Sequence, residues 1–243
     1  MLPDKLSFFN SLDTSAKNLA VDFTNGKLIT RRILETILEL YKAAKVEQVF
    51  KDDFFETAYH SPITSELEFF IARILFHFSK ENNKGWKILL RRQEGKTAPD
   101  VRLLKDGKTF AVIEIKAKAG WIQWFFSPER YANDCLKFEQ NKTKKDPKLL
   151  IQTARNQLTK YYEQFGLTNN DVYLFLPTLA LVHRNIYRTD LEGYYEHFVF
   201  TSQLPKENFI LLSANKKLDL SKGKGELEPT DNFEKLIMKL AAK

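Results

Sequence analysis

The stretch APDVRLLKDGKTFAVIEIKAKAG, residues 98–120, decides how the rest of the chain is read. Val101 to Leu104 and the run TFAVIEIKAKA (109–119) read as two strands, and Asp106-Gly107 between them is a two-residue turn signal. The apolar residues of the second strand are nearly continuous, the pattern of a strand buried on both faces in the middle of a sheet. Two charged residues interrupt it. Side chains alternate along a strand, so Glu114 and Lys116 share one face with Val112 and Lys118, while Ile113, Ile115 and Ala117 point the other way. A carboxylate and an ammonium within a buried strand are costly unless a partner or a metal compensates them. Asp100, at the start of the neighbouring strand, offers a second carboxylate.

Outward from the hairpin the period changes. GWKILLRR (85–92) reads as a further strand. Before it, SPITSELEFFIARILFHF is a helix whose apolar stripe is Leu67, Phe70, Ile71, Ile74, Leu75 and Phe78. Residues 13–60 read as helical, with Ile29, Ile33, Leu34, Ile37, Leu38 and Tyr41 at helical spacing, Thr30 as an N-cap, and a second short helix over Lys51 to Tyr59. Downstream, Pro128 to about Phe138 is a short helix, and 149–165 is a strong helix that stops at Gly166. VYLFLPTLALV (172–182) is a buried strand interrupted by Pro177. Residues 194–200 and 208–213 read as further strands, Lys216 to Gly225 as a mobile basic stretch, and Asn232 to Ala241 as a closing helix. No repeat and no long linker divides the chain. The expectation is an α/β fold with a central mixed β-sheet flanked by helices. It forms one domain over 1–243, with a helical N-terminal part (about 1–60) and a core over about 61–182.

Composition narrows the function classes. The 243 residues are 43% hydrophobic, enough for one sizeable core. A single cysteine, Cys135, excludes a disulfide scaffold and a Cys-based zinc cluster, and the four histidines lack ligand spacing. No Gly-rich phosphate loop is present. Lys and Arg exceed Asp and Glu by 7, a balance compatible with nucleic acid. No apolar run approaches the roughly 20 residues of a membrane span, and MLPDKLSFFN lacks a signal-peptide layout, so the expectation is a soluble, cytoplasmic protein.

Asp100 and Glu114 together make half of a hard-cation site. Mg²⁺ takes oxygen ligands in octahedral geometry and keeps several waters, so two carboxylates and a main-chain carbonyl leave room for water and a phosphate oxygen. Lys116 beside them can orient and help deprotonate an attacking water. Context carries this reading. The pattern Asp/Glu-x-Lys occurs four times, at Glu94/Lys96, Asp106/Lys108, Glu114/Lys116 and Asp146/Lys148, and three of these sit in Gly- or Pro-bearing turns. Only Glu114/Lys116 is flanked by strand residues on both sides.

Pro99-Asp100 followed on the next strand by Glu114-Ile115-Lys116 resembles the PD-(D/E)xK nuclease superfamily, which has the restriction-endonuclease-like fold. The resemblance implies Mg²⁺-dependent hydrolysis of double-stranded DNA to a 5′-phosphate and a 3′-hydroxyl, with Mn²⁺ as a substitute metal. Asp100 and Glu114 would bind the metal, the carbonyl of Ile115 would be a main-chain ligand, and Lys116 would position the water. The family often adds a glutamate from an upstream helix. Glu66 and Glu68 are both available, and the apolar phase Ile71, Ala72, Leu75 favours Glu68. Gln157-Leu-Thr-Lys-Tyr161 resembles the Q-x-x-x-Y motif of RecB-like nucleases of the same superfamily. Gln157 and Tyr161 would share a helix face within reach of a phosphate, although Gln152 is another candidate and Tyr161 or Tyr162 could be core. A compact chain without a visible helicase or methylase resembles a type II restriction endonuclease. A structure-specific repair or recombination nuclease and a non-catalytic DNA-binding protein of the same fold are the alternatives.

Basic and aromatic residues near the catalytic strand extend that expectation to DNA contact. Lys118 lies one pleat beyond Lys116. Segment 137–148 carries Lys137, Lys142, Lys144, Lys145 and Lys148, able to track a phosphate backbone or equally to be a solvated loop. Arg91, Arg92, His183, Arg184 and Arg188 are unassigned cations. WIQWFF (121–126) is core, a surface that packs on a second subunit, or a platform that stacks on bases, with core favoured, and paired cuts in a palindromic duplex imply a homodimer.

The strand register raises one difficulty. A two-residue turn at Asp106-Gly107 pairs Lys105 with Lys108, and counting back sets Asp100 opposite Ile113, the wrong face for Glu114. The motif therefore requires a shift of one residue, supplied by a longer loop or by a bulge near Asp100.

Overall fold

The computed structural model describes residues 5–44, 63–95, 97–117, 128–143, 146–179 and 190–243. Among these, seven helices flank one five-stranded mixed sheet. The helices α1 (Lys5–Thr24), α2 (Thr30–Ala43) and α3 (Thr64–Glu81) precede the strands β1 (Lys87–Leu90), β2 (Val101–Lys105) and β3 (Lys108–Ile115). The helices α4 (Pro128–Glu139) and α5 (Pro147–Phe165) then lead to β4 (Val172–Leu176). The chain closes with α6 (Leu191–Ser202), β5 (Phe209–Leu211) and α7 (Asn232–Ala241). Strands lie in the order β1-β2-β3-β4-β5; the first three form an antiparallel meander, and β3, β4 and β5 run parallel.

Strand alternation divides the core into two layers. Val101, Leu103, Ala111, Ile113, Ile115, Tyr173, Phe175 and Ile210 face the helical layer of α1, α2, α3 and α7. Val112, Val172, Leu174, Leu176, Phe209 and Leu211 face α5 and α6. β3 is the middle strand, and Ala111 to Ile115 are buried on both faces, as its near-continuous apolar run requires. The N-terminal helices are not a separate unit: Leu19, Ile33, Ile37 and Leu40 belong to the same apolar cluster as the α3 stripe. No helix of the described residues is long and apolar enough to cross a membrane.

The hairpin register reconciles turn and motif. Asp106 and Gly107 both adopt positive φ (52° and 78°), as a tight two-residue turn of this hand needs, and Lys105 pairs with Lys108. Leu104 pairs with Thr109, but Leu103 pairs with Ala111, so Phe110 is an extra residue bulged out of the ladder. Its ring packs on Trp86 at 5.6 Å. Beyond the bulge Val101 faces Ile113, and the next position sets Asp100 beside Glu114. The irregularity is in the hairpin's middle, not near Asp100.

Local signals account for most boundaries. The Asp146 side chain caps α5 by accepting from the Lys148 N–H, Pro147 opens it, and Gly166 closes it at φ 66°. Three expectations are corrected. Residues 194–200 are not a strand but the middle of α6, which Asp190 caps through the Gly193 N–H while Tyr194, Tyr195, Phe198, Thr201 and Ser202 are buried at helical spacing. Thr30 is not an N-cap but the first residue of α2. The Glu234 carboxylate of α7 caps that helix from a distance, accepting from the N–H groups of Ile29 and Thr30 (2.7 and 2.8 Å) and from the Thr30 hydroxyl (2.5 Å). The basic stretch 216–225 is tied to the body of the fold, because Leu218 and Leu220 are buried in the core and Asp219 bridges to Lys224. The 51–59 helix, the aromatic segment 121–126 and the strand residues beyond Leu179 lie outside the described residues.

Candidate active site

The carboxyl end of β3 is where the sheet stops being apolar. Glu114 is buried on the α5 face, and its carboxylate has three donors. Lys116 Nζ stands 2.6 Å from Oε1, Gln157 Nε2 3.3 Å from the same oxygen, and the Tyr161 hydroxyl donates to Oε2 at 2.9 Å. Gln157 and Tyr161 are one helical turn apart on α5, so a single helix face supplies both. Asp100 follows the loop between β1 and β2. Its Oδ2 accepts from the Ile115 N–H at 2.8 Å and lies 3.8 Å from Lys116 Nζ. One ammonium therefore sits between the two carboxylates.

The main chain around Lys116 is fixed on both sides. Its N–H donates to the Phe175 carbonyl of β4 at 2.9 Å, and the Tyr41 hydroxyl of α2 donates to the Ala117 carbonyl at 3.1 Å. A third carboxylate, Glu68 of α3, is only 1% exposed. Arg91 binds it with two groups, Nε on one oxygen and Nη2 on the other, the latter at 2.7 Å. Of the two glutamates available on this helix, Glu68 is the one bound to Arg91, whose main-chain N–H is in turn on the Asp100 carbonyl.

The charges do not balance. Three carboxylates meet two cations, Lys116 and Arg91. Burial of Asp100, reinforced by the neighbouring charges of Glu114 and Glu68 against the attraction of Lys116, pushes its carboxyl up to about 7. Burial likewise raises Glu68, with Arg91 pulling the other way. For Lys116 burial opposes the charge, yet the adjacent Glu114 and Asp100 outweigh it and hold the ammonium above its ordinary value. Burial and the Glu114 charge raise the Tyr161 hydroxyl, so it remains a donor.

This donor set fits a hard divalent cation. Asp100 and Glu114 are oxygen donors that already share one positive charge, and with Glu68 they outnumber the two cations Lys116 and Arg91. A carboxylate offers about four acceptor positions; three of those of Glu114 are in use, one of them by Lys116, which is itself a cation able to move aside. Among the described residues no group of three His, Cys, Asp or Glu side chains forms a ready-made metal cage.

Several expected contacts lie elsewhere. Tyr161 is buried with its hydroxyl on Glu114, so it supports a carboxylate and does not offer itself to a phosphate. Gln157 is exposed and also reaches Glu114, while Gln152 bonds to Asn156. Lys142 is exposed in the turn after α4. Lys118, Lys144, Lys145, His183, Arg184 and Arg188 lie outside the described residues. Reading by sequence missed the part of Arg91, named only as an unassigned cation, and of Tyr41, read only as a core position. No motif marks either; only the docking of β1 and α2 around β3 brings them in.

No family model, no curated protein and no solved structure matches this chain.

Proposed function

We propose that the chain is a Mg²⁺-dependent endonuclease that hydrolyses phosphodiester bonds of double-stranded DNA, most like a sequence-specific type II restriction endonuclease acting as a homodimer. The observation that carries the reading is the pair Asp100 and Glu114 flanking the Lys116 ammonium at the buried end of the central strand, with more negative charge than the local cations neutralise. The mixed sheet with helices on both faces is the arrangement that resemblance to the PD-(D/E)xK nucleases implies.

Asp100 and Glu114 would hold the metal, with the Ile115 carbonyl as a main-chain ligand. Bound there, Mg²⁺ supplies Lewis acidity toward a phosphate oxygen and lowers the pKa of water. The chain's own groups do the rest. Tyr161 and Gln157 fix the Glu114 carboxylate from α5, so the ligand pays little reorganisation cost when a cation arrives. The Ile115 N–H fixes Asp100 in the same way. Lys116, displaced from between the carboxylates, directs its Nζ at the attacking water and orients its lone pair toward phosphorus. The water oxygen would bond to phosphorus as the P–O3′ bond breaks; the water's proton would pass to solvent and O3′ would take one from solvent, leaving a 5′-phosphate and a 3′-hydroxyl. Glu68, bound to Arg91, would support the metal or a water from α3 at one remove.

Incubating the purified protein with mixed genomic DNA and Mg²⁺ tests this. Discrete bands support a sequence-specific nuclease, and a smear with preference for junctions or ends favours a structure-specific one. DNA that is bound and stays intact at every Mg²⁺ concentration refutes catalysis. Asp100→Ala and Glu114→Ala should each abolish cutting while the fold survives.

A further inference from the structure

Arg91 is unusual in backbone, in burial and in company. It ends β1 with φ 45°, a left-handed conformation that a long L side chain rarely adopts. The conformation is held: its N–H donates to the Asp100 carbonyl at 3.0 Å, which ties the two ends of the β1–β2 loop together. Described residues of the loop in between are held as well. Glu94 and Thr97 bridge each other, Glu94 pairs with the buried Arg102, and the Arg102 guanidinium lies 4.6 Å over the Phe165 ring of α5. Such strain, held by its surroundings, gathers at functional sites.

The guanidinium has five N–H donors in a planar fork. Nε and Nη2 are engaged with Glu68, whose carboxylate is buried, yet the Arg91 side chain is 51% exposed. With Nε and Nη2 turned inward to Glu68, the remaining edge of the guanidinium has no hydrogen-bond partner among the described residues, beside a cluster of buried carboxylates. We propose that Arg91 is the phosphate anchor of the site, keeping its inner edge on Glu68 while its outer N–H groups hold the non-bridging oxygens of a DNA phosphate entering beside Asp100. The inference rests on the nuclease reading and deepens it. It gives Glu68 a physical task, to hold the fork in one orientation, and it gives a net-negative cluster a way to receive a polyanion. Arginine suits the task because its planar fork binds a phosphate with two parallel hydrogen bonds, which a lysine cannot do.

The test is duplex binding by the full chain carrying Lys116→Ala, a background expected to bind and to cut at least about a hundredfold more slowly, followed by fluorescence anisotropy of a labelled duplex across salt concentrations. Arg91→Ala alone would strand a buried carboxylate, so it is made together with Glu68→Gln and compared with Glu68→Gln alone, each checked for a cooperative thermal transition. The expected result is a loss of about tenfold or more in affinity on adding Arg91→Ala, uniform over duplex sequences, with the slope of log affinity against log salt smaller by about one. Arg91→Lys should restore the salt slope without restoring full affinity. If Arg91→Ala in the Glu68→Gln background binds within twofold and with the same slope, Arg91 merely neutralises Glu68 and the proposal is wrong while the nuclease reading stands. If the wild-type chain neither binds nor cuts duplex DNA, both fall.

Discussion

Asp100 offers the sharpest way to probe the site without assaying cleavage. Its carboxyl is held at about 7 in the folded chain against an ordinary 3.8, chiefly because it is buried beside Glu114. A raised folded value makes the protein most stable where the group is protonated in both states. Stability therefore declines as pH climbs from about 4 toward about 7, and the loss is complete above that. The rise from 3.8 to about 7, at about 1.4 kcal/mol for each tenfold change in proton affinity, sets the scale at about 4 kcal/mol. Asp100→Asn keeps an oxygen that can accept from the Ile115 N–H and removes a charge whose cost, burial and repulsion less the attraction to Lys116, is already net; its amide brings N–H donors into the same buried site, which offsets part of the gain. We therefore expect it to recover about half, ~2 kcal/mol at pH 8, or about 5 °C in Tm for a chain of this size. At pH 4 the two proteins should differ little. Urea denaturation of both proteins from pH 4 to pH 9 reads this directly. Mg²⁺ should then raise the Tm of the wild type at pH 8 and leave Asp100→Asn unmoved. An Asn variant less stable than wild type at pH 8, or a difference that does not change with pH, would refute the idea that Asp100 carries uncompensated charge.

Lys116→Ala should keep binding duplex DNA in a salt-dependent way and cut at least about a hundredfold more slowly, because general acid–base groups contribute about that much; single-turnover cleavage beside a gel-shift titration separates the two effects. Tyr161→Phe removes a hydrogen bond to a charged acceptor, so Mg²⁺ affinity measured by calorimetry should fall about tenfold with little change in fold. Glu234→Ala takes three hydrogen bonds from the start of α2 and should cost about 3 kcal/mol in urea denaturation, with Mg²⁺ affinity unchanged.

What was legible in the sequence was local and periodic. The α3 stripe, the Asp146 and Gly166 ends of α5 and the buried run of β3 each carry their signal within one or two turns of chain. The α6 error has a physical source: Tyr194, Tyr195, Phe198, Val199 and Phe200 favour strands intrinsically, and the Asp190 cap with burial at i and i+4 overrides that preference. The cap on Thr30 was beyond local reading, because its acceptor, Glu234, lies 204 residues away.

The site itself divides along the same line. Asp100, Glu114 and Lys116 are legible because strand alternation and a short hairpin bring them together whatever the rest of the chain does. Even so, alternation and the turn rule conflict by one residue, and the conflict is informative. A regular ladder below Lys105 and Lys108 would turn Asp100 toward the apolar layer of α1, α2 and α3, where a carboxylate has no partner. Bulging Phe110 onto Trp86 sends that ring into the core and moves Asp100 to the face of Glu114 in a single step. The β1–β2 ladder is regular, so Arg91 moves with Asp100, to whose carbonyl its N–H donates, and its guanidinium meets Glu68. One residue of register thus aligns the two carboxylates on the ammonium and brings the exposed fork alongside them. That coupling explains why Arg91 carries no motif of its own, since its position depends on the ladder and not on its sequence neighbours. Deleting Phe110 should accordingly do more than lose one ring: the ladder would become regular, Asp100 would face the wrong layer, and the Asp100-dependent pH sensitivity of stability should disappear along with Mg²⁺ binding.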